Sequence, residues 1–380
     1  MHRTPLAALA ALLLAAPAQA QDIHRTALHD YRVVTVAEGL VNPWSIAFLP
    51  GGDILVTERP GRLRIVRDGR LLPDPVAGVP EVFARGQGGL LDVVPHPDFA
   101  TNHLLYLSYS KAQGENASNT AVVRGRLEND RLTGVEEIWE ARSEGRGHYG
   151  SRIAFDGRGH VFITAGDRQV PPRGDLPAHP AQDPSNHHGV VVRLNEDGSV
   201  PADNPFVGRS DALDDVWSYG HRNPQGLAIH PETGDVWATE HGPQGGDELN
   251  LIQPGLNYGW PVVGYGVNYG PGARIHESTT AEGMENPVHF WVPSIATSGL
   301  MIYTGDRFPE WRGDFFSGGL AGERIDRLQM DGRTVVLRET ILHGLGRVRD
   351  VRQGPDGFIY VALDHRGGNP TALVRLEPAR

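Results

Sequence analysis

The sequence predicts an all-β fold: a six-bladed β-propeller of four-stranded antiparallel sheets around a central channel. Three observations lead there. Glycine (48) and proline (29) are abundant in the 380 residues, and strongly periodic helical segments are missing. A short apolar strand, a turn rich in Pro, Asp or Gly, and a second apolar strand recur six times. No single copy can bury its own faces. Radial packing of the copies buries them without a second domain.

The units follow in order. "PWSIAFLPGGDILVTERPGRLRIV" opens the series, then "GLLDVVPHPDFATNHLLYLSYS" and "SRIAFDGRGHVFITAGDR". "PQGLAIHPETGDVWATEHG", the looser "SGLMIYTGDRFPEWRGDFFSGGLAGERIDRL" and "VRDVRQGPDGFIYVALDH" complete it. Uneven spacing between units reads as loop insertions, such as 169–186 and 254–290. An all-β sandwich is the structural alternative, and six similar units argue against it.

The first segment, "MHRTPLAALAALLLAAPAQA", has Arg3, an apolar run and a small-x-small end. It reads as a signal peptide over residues 1–20, cut after Ala20. Residues 21–380 are then a single propeller domain, periplasmic or secreted. The apolar run is short for a bilayer span and no second one follows, so no membrane span is expected. The formal charge is −11, and loss of Arg3 makes it one unit more negative. That balance, without a basic run, disfavours nucleic acid and anionic membrane as partners.

Cysteine is absent, which excludes disulfides, thiol catalysis and haem attachment through CxxCH. Redox chemistry would need a cofactor that cysteine does not hold. Of the 35 basic residues one is a lysine, Lys111 in "SYSKAQG", so a Walker motif is excluded.

Polar groups concentrate in "YGHRNPQGLAIHPETGDVWATEHGPQGGDELN". His221, Arg222, Asn223 and Gln225 precede a strand pair; His241, Gly242, Pro243, Asp247 and Glu248 follow it. In two antiparallel strands, the start of the first and the end of the second share one edge. Both clusters should face one rim of the propeller.

"GHRNPQG", "EHGPQGGDELN" and "NYGWP" resemble the soluble sugar dehydrogenases that use pyrroloquinoline quinone (PQQ), of the glucose and aldose type. "GQGGLLDVVPHPDF", "HYGSRIAFDGRGHVFITAGDR", "WVPSIATSGLMIY" and "GRVRDVRQGPDGFIY" extend the likeness, in order, over most of the chain. The resemblance implies the same six-bladed fold and a PQQ- and calcium-dependent oxidation of the C1 hydroxyl of aldoses to lactones. Electrons would pass to an external quinone, dye or periplasmic carrier. His148 would take the hydroxyl proton as hydride leaves for the quinone carbon. Arg222, Asn223, Arg347 and Arg349 would grip the cofactor, with Gln87 beside them in the active site. Backbone carbonyls of Gly242 and Pro243 would hold calcium at PQQ, and Glu248 with Tyr258 a second, structural calcium.

Two departures stand out. Where the family commonly has an aspartate beside the catalytic histidine, this chain has Gly147. The fifth-blade lysine of the glucose-oxidising members has no counterpart in "GGLAGERID", so either Arg324 replaces that contact or it is missing. The second departure favours the aldose-type branch. Two other readings remain: a calcium-dependent propeller lactonase or hydrolase, and a non-catalytic carbohydrate-binding propeller. The oligomeric state is expected to be a monomer or a homodimer.

Overall fold

The computed structural model describes residues 22–270 and 272–379; the expected leader over residues 1–20 lies outside the described residues. Each of the six sequence units becomes the inner half of one blade. The innermost strands are Pro43–Phe48, Leu90–Pro95, Ile153–Phe155, Pro224–Ile229, Thr297–Ile302 and Arg347–Gln353. These strands neighbour one another in a ring, and the sixth packs back on the first. From each, the chain steps outward through antiparallel neighbours.

Turn chemistry sets the hairpins. In the third blade, Asp156 Oδ1 accepts the amides of Arg158 (2.7 Å) and His160 (3.1 Å), closing the turn locally. The inner strands are buried on both faces and pack between blades: Leu55 meets the second blade, Ile54 and Val56 the sixth. Tyr106 and Val122 of the second blade meet Ile153, Val161 and Ile163 of the third.

Closure uses the chain ends. Tyr31–Leu40 pairs antiparallel with Thr371–Pro378, so the N-terminal strand completes the sixth blade. The two-residue strand Ile23–His24 extends that sheet to five strands, whereas the other five sheets have the expected four.

Polar contacts stitch neighbouring blades near the axis. Thr57 Oγ1 donates to the Leu91 carbonyl (2.5 Å), Ser108 Oγ to Ser151 (2.6 Å) and Thr164 Oγ1 to Pro224 (2.9 Å). Ser298 Oγ donates to Val348 (2.8 Å), and the Ile46 amide donates to Asp350 Oδ2 (2.9 Å), carrying the series from blade five through six to one. An ionic cluster sits inside this ring. Arg152 lies 3.3 Å from Asp92 and 2.9 Å from Asp350, and Arg352 reaches the same two carboxylates at 3.3 and 3.0 Å. Arg152, Asp92 and Asp350 are fully buried, so each depends on the others for its solvation.

Removing one partner from such a cluster strands the rest. Arg152→Ala should lower unfolding free energy by about 3–5 kcal/mol, read from urea denaturation; a change below about 1 kcal/mol would contradict the role given to the cluster.

Candidate active site

Apart from the N-terminal strands that complete blade six, the chain enters each blade by its innermost strand, so strand starts and second-strand ends gather at one rim. That geometry brings Gln87, His148, Arg222, Asn223, Arg347 and Arg349 onto one cavity of about 270 Å³. Trp44, Arg59, Gln225, His241, Tyr269, Asp364 and Arg366 complete most of the wall. The two clusters flanking the fourth unit do face the same rim. Pro224 pairs with Glu240, and the His241 amide donates to the Asn223 carbonyl at 3.1 Å.

His148 sits on the cavity wall in the left-handed region, at φ 46°. Its amide donates to Gln87 Oε1 (2.8 Å), and its carbonyl accepts from Arg168 Nη1 (2.7 Å). Its Nδ1 lies 2.5 Å from Asp167 Oδ1. Asp167 in turn accepts from Trp260 Nε1 (2.7 Å) and from the Gln169 amide (2.9 Å). The orienting carboxylate therefore comes from Asp167, in the "TAGDR" end of the same blade, and not from the neighbouring position. Gly147 is explained by space: a Cβ there would lie 2.3 Å from the Gln169 side chain. Gly166 allows the approach, since a Cβ there would stand 2.2 Å from the His148 carbonyl oxygen.

Burial lowers the His148 pKa, and Arg222 and Arg168 lower it further; the Asp167 charge and hydrogen bond oppose them without winning. The imidazole is neutral at neutral pH. With Nδ1 committed to a carboxylate, Nε2 is its basic nitrogen. Asp167 itself stays below the usual carboxylate range, because His148, Arg222 and the Gln169 amide outweigh its burial.

The opposite character belongs to the cations. Arg59, Arg222, Arg347, Arg349 and Arg366 line the cavity, against the single carboxylate of Asp364. Arg349 Nη1 donates to Gln225 Oε1 (2.9 Å), Arg347 Nη1 to the Leu320 carbonyl (3.1 Å), and Arg222 Nη1 to the Gly242 carbonyl (2.7 Å). The Nε atoms of Arg59, Arg222 and Arg349 are nevertheless buried without an acceptor, while Arg347 Nε has Asp364 Oδ2 at 3.5 Å. Burial, aided by Arg59, Arg347 and Arg152, pulls the Arg349 pKa down to about 9 despite Asp364. The cavity thus holds positive charge at a cost that an anionic ligand would relieve.

Arg324 does not join this set. Its Nε lies 3.0 Å from Asp326 Oδ1, and the fifth blade presents Leu320 and Ala321 to the cavity instead. Lys111 is held by Glu137 and Glu140 in the second blade. His221 is fully buried, 2.9 Å from both Glu240 and Ser218, and stacks on Tyr258. It supports the fold beneath the site.

Gly242, Pro243, Glu248 and Tyr258 border a second, smaller cavity of about 20 Å³, with Glu240, Tyr265 and His276. That space suits one ion or water. Glu248 is half-buried near Glu240, and among the described residues its carboxylate receives one long hydrogen bond, 3.2 Å from Asn250. Glu240 is better served, by His221, by the Arg222 amide and by Asn250. An under-solvated carboxylate next to carbonyl groups suits a hard cation.

Asp167, Trp260, Arg59 and Arg366 carried no assignment in the sequence reading. Asp167 and Trp260 lie inside quoted motifs, but only the fold brings them to His148.

In protein carrying ¹³C-labelled histidine, the His148 resonance should titrate below the ordinary value of about 6.5. Asp167→Asn should move that titration lower still, since the carboxylate raises it. An upward move would contradict the pairing.

Comparisons with known proteins place the chain in a family. The chain is 40% identical over 392 residues to aldose sugar dehydrogenase YliI of Escherichia coli K12, covering 100% of both chains. The crystal structure of the soluble aldose sugar dehydrogenase from E. coli in its apo form superposes with TM-score 0.85 at 38% identity, covering 92% of this chain and 100% of that one. The PQQ-bound aldose sugar dehydrogenase from Streptomyces coelicolor gives TM-score 0.75 at 29% identity, covering 91% and 98%. The glucose/sorbosone dehydrogenase profile matches residues 40–375. The chain belongs to the glucose/sorbosone dehydrogenase family.

Proposed function

We propose that this oxidoreductase oxidises the C1 hydroxyl of aldose sugars to lactones with PQQ, using His148 as base and Arg222, Asn223, Arg347 and Arg349 as the cofactor grip. The observation that carries the reading is the cation excess: five arginines face one carboxylate, and the Nε atoms of Arg59, Arg222 and Arg349 are buried without an acceptor. PQQ is a planar tricarboxylate, so its charge and its acceptors match those donors through charge-assisted hydrogen bonds. When bound, it supplies the two-electron acceptor that takes hydride from C1.

The chain's own residues do the rest. Neutral His148, oriented through Nδ1 by Asp167, accepts the C1 hydroxyl proton at Nε2, and the carboxylate steadies the imidazolium that forms. Gln87 fixes the His148 main chain from the substrate side. Arg59 and Arg366, from blades one and six, add cations that the fifth blade does not provide. An external acceptor, whether quinone, dye or periplasmic carrier, then reoxidises the enzyme.

We assign calcium to two places. The small cavity takes one ion, held by the Glu248 carboxylate and the Tyr258 carbonyl. The cofactor-side ion is assigned to the Gly242 and Pro243 carbonyls on the family resemblance; both border the small cavity, and Arg222 donates to the Gly242 carbonyl. The expected leader, cut after Ala20, would export the 21–380 domain to the periplasm or beyond. One chain supplies the whole site, so activity needs no second copy, and a monomer or a homodimer would serve. The hydrolase alternative requires acidic metal ligands converging on the channel, and among the described residues Asp364 is the carboxylate that lines this cavity.

The test is dye reduction by purified protein given PQQ, Ca²⁺ and glucose, galactose, xylose or maltose, with a chelator arm. Turnover is expected with at least one sugar, with loss on chelation and recovery with Ca²⁺. His148→Ala should lose roughly 100- to 10,000-fold in turnover while PQQ affinity is retained. Silence with every sugar, or an active His148→Ala, would overturn the reading.

A further inference from the structure

The cavity has one exposed aromatic wall that the chemistry above leaves unused. Tyr269 is 65% exposed, yet it lines the same cavity as His148, Gln87 and Arg347. Nearby Tyr265 stacks on Phe290 at 3.9 Å. Among the described residues, the Tyr269 ring has no aromatic partner and its hydroxyl no hydrogen bond. A large amphipathic ring left in water at the mouth of a catalytic cavity is a surface for a ligand to cover.

The arm carrying this ring is fixed in place. Gln244 and Val267 exchange both backbone hydrogen bonds, at 3.0 and 3.1 Å. Val267 also bridges to Arg274, and the Asn268 amide donates to the Ala273 carbonyl at 2.8 Å. Gly266 lies so close to Pro243 that a Cβ there would stand 2.6 Å from its ring. The arm is thus pinned to the loop that follows the second strand of blade four, at the rim where the cavity opens.

Two kinds of ligand could cover the ring. The cofactor's carboxylates are claimed by the arginines deeper in the cavity. The sugar must bring its C1 hydroxyl to His148 and expose its other end toward the mouth. A pyranose carries a face of C–H groups that packs on an aromatic ring, while its hydroxyls need polar partners.

We propose that Tyr269 is a specificity-determining residue whose ring packs on the C–H face of the aldose. This deepens, and rests on, the reading of the cavity as a PQQ-dependent sugar site. The ring contributes to sugar binding and leaves both the cofactor grip and the proton transfer untouched.

The experiment compares wild type, Tyr269→Phe and Tyr269→Ala. Dye reduction gives KM and kcat for glucose, and a fluorescence titration gives the PQQ Kd. Calorimetry measures glucose binding to protein loaded with reduced PQQ, a complex that cannot turn over. Tyr269→Ala should weaken glucose about tenfold in KM and in the calorimetric Kd, with kcat and PQQ Kd unchanged. Tyr269→Phe should stay close to wild type. An equal weakening of PQQ in Tyr269→Ala would place the ring on the cofactor and overturn the proposal. Unchanged sugar binding in Tyr269→Ala, with wild type active, would overturn it alone. A wild type that binds no PQQ would overturn the functional reading and the proposal together.

Discussion

Guanidinium groups buried at one end of the channel, with donors that no protein atom accepts, are the constraint on which the site depends. Arg222 stands at the entry to blade four, and Arg347 and Arg349 on the first strand of blade six; they converge because strand starts share a rim. Gathering them in a low-dielectric pocket is unfavourable, since like charges repel and burial strips their water. The fold tolerates this because stability is generated elsewhere, in the apolar layers between blades. The cavity is therefore complete in shape and incomplete in charge.

The same positive field shapes the base. Arg222 and Arg168 help to keep His148 neutral, and Asp167 holds it in one orientation. One set of charges thus serves both halves of the chemistry: it attracts an anionic cofactor and disfavours a second proton on the imidazole. Trp260 joins them, donating to Asp167 while its ring lies 5.2 Å from the Arg222 guanidinium.

The blades were legible in the sequence because strand alternation and turn residues are local properties. Pro43–Phe48 and Ile54–Glu58 flank a "PGGD" turn that any reading of the chain would mark. The fifth strand of the sixth sheet was not legible, since a two-residue strand carries no period. Within the site, Arg347 and Arg349 both reach the cavity from one strand, whose ladder is irregular between Val348 and Asp350. The partner of His148 was not legible either: Asp167 is 19 residues away and meets it through the hairpin of blade three. Carbonyl ligands such as those of Gly242 and Pro243 leave no mark in residue identity. Arg59 and Arg366 sit in turns of blades one and six whose convergence on the cavity only the closed ring reveals.

The most direct test of the central claim is the melting temperature of wild type and Arg349→Met, each with and without PQQ. A methionine of similar length removes a buried charge without opening a large cavity. Without PQQ, Arg349→Met should melt at or above wild type; with saturating PQQ, wild type should gain the larger stabilisation and melt higher. An Arg349→Met protein that is less stable without PQQ, yet gains as much from it as wild type, would contradict the account.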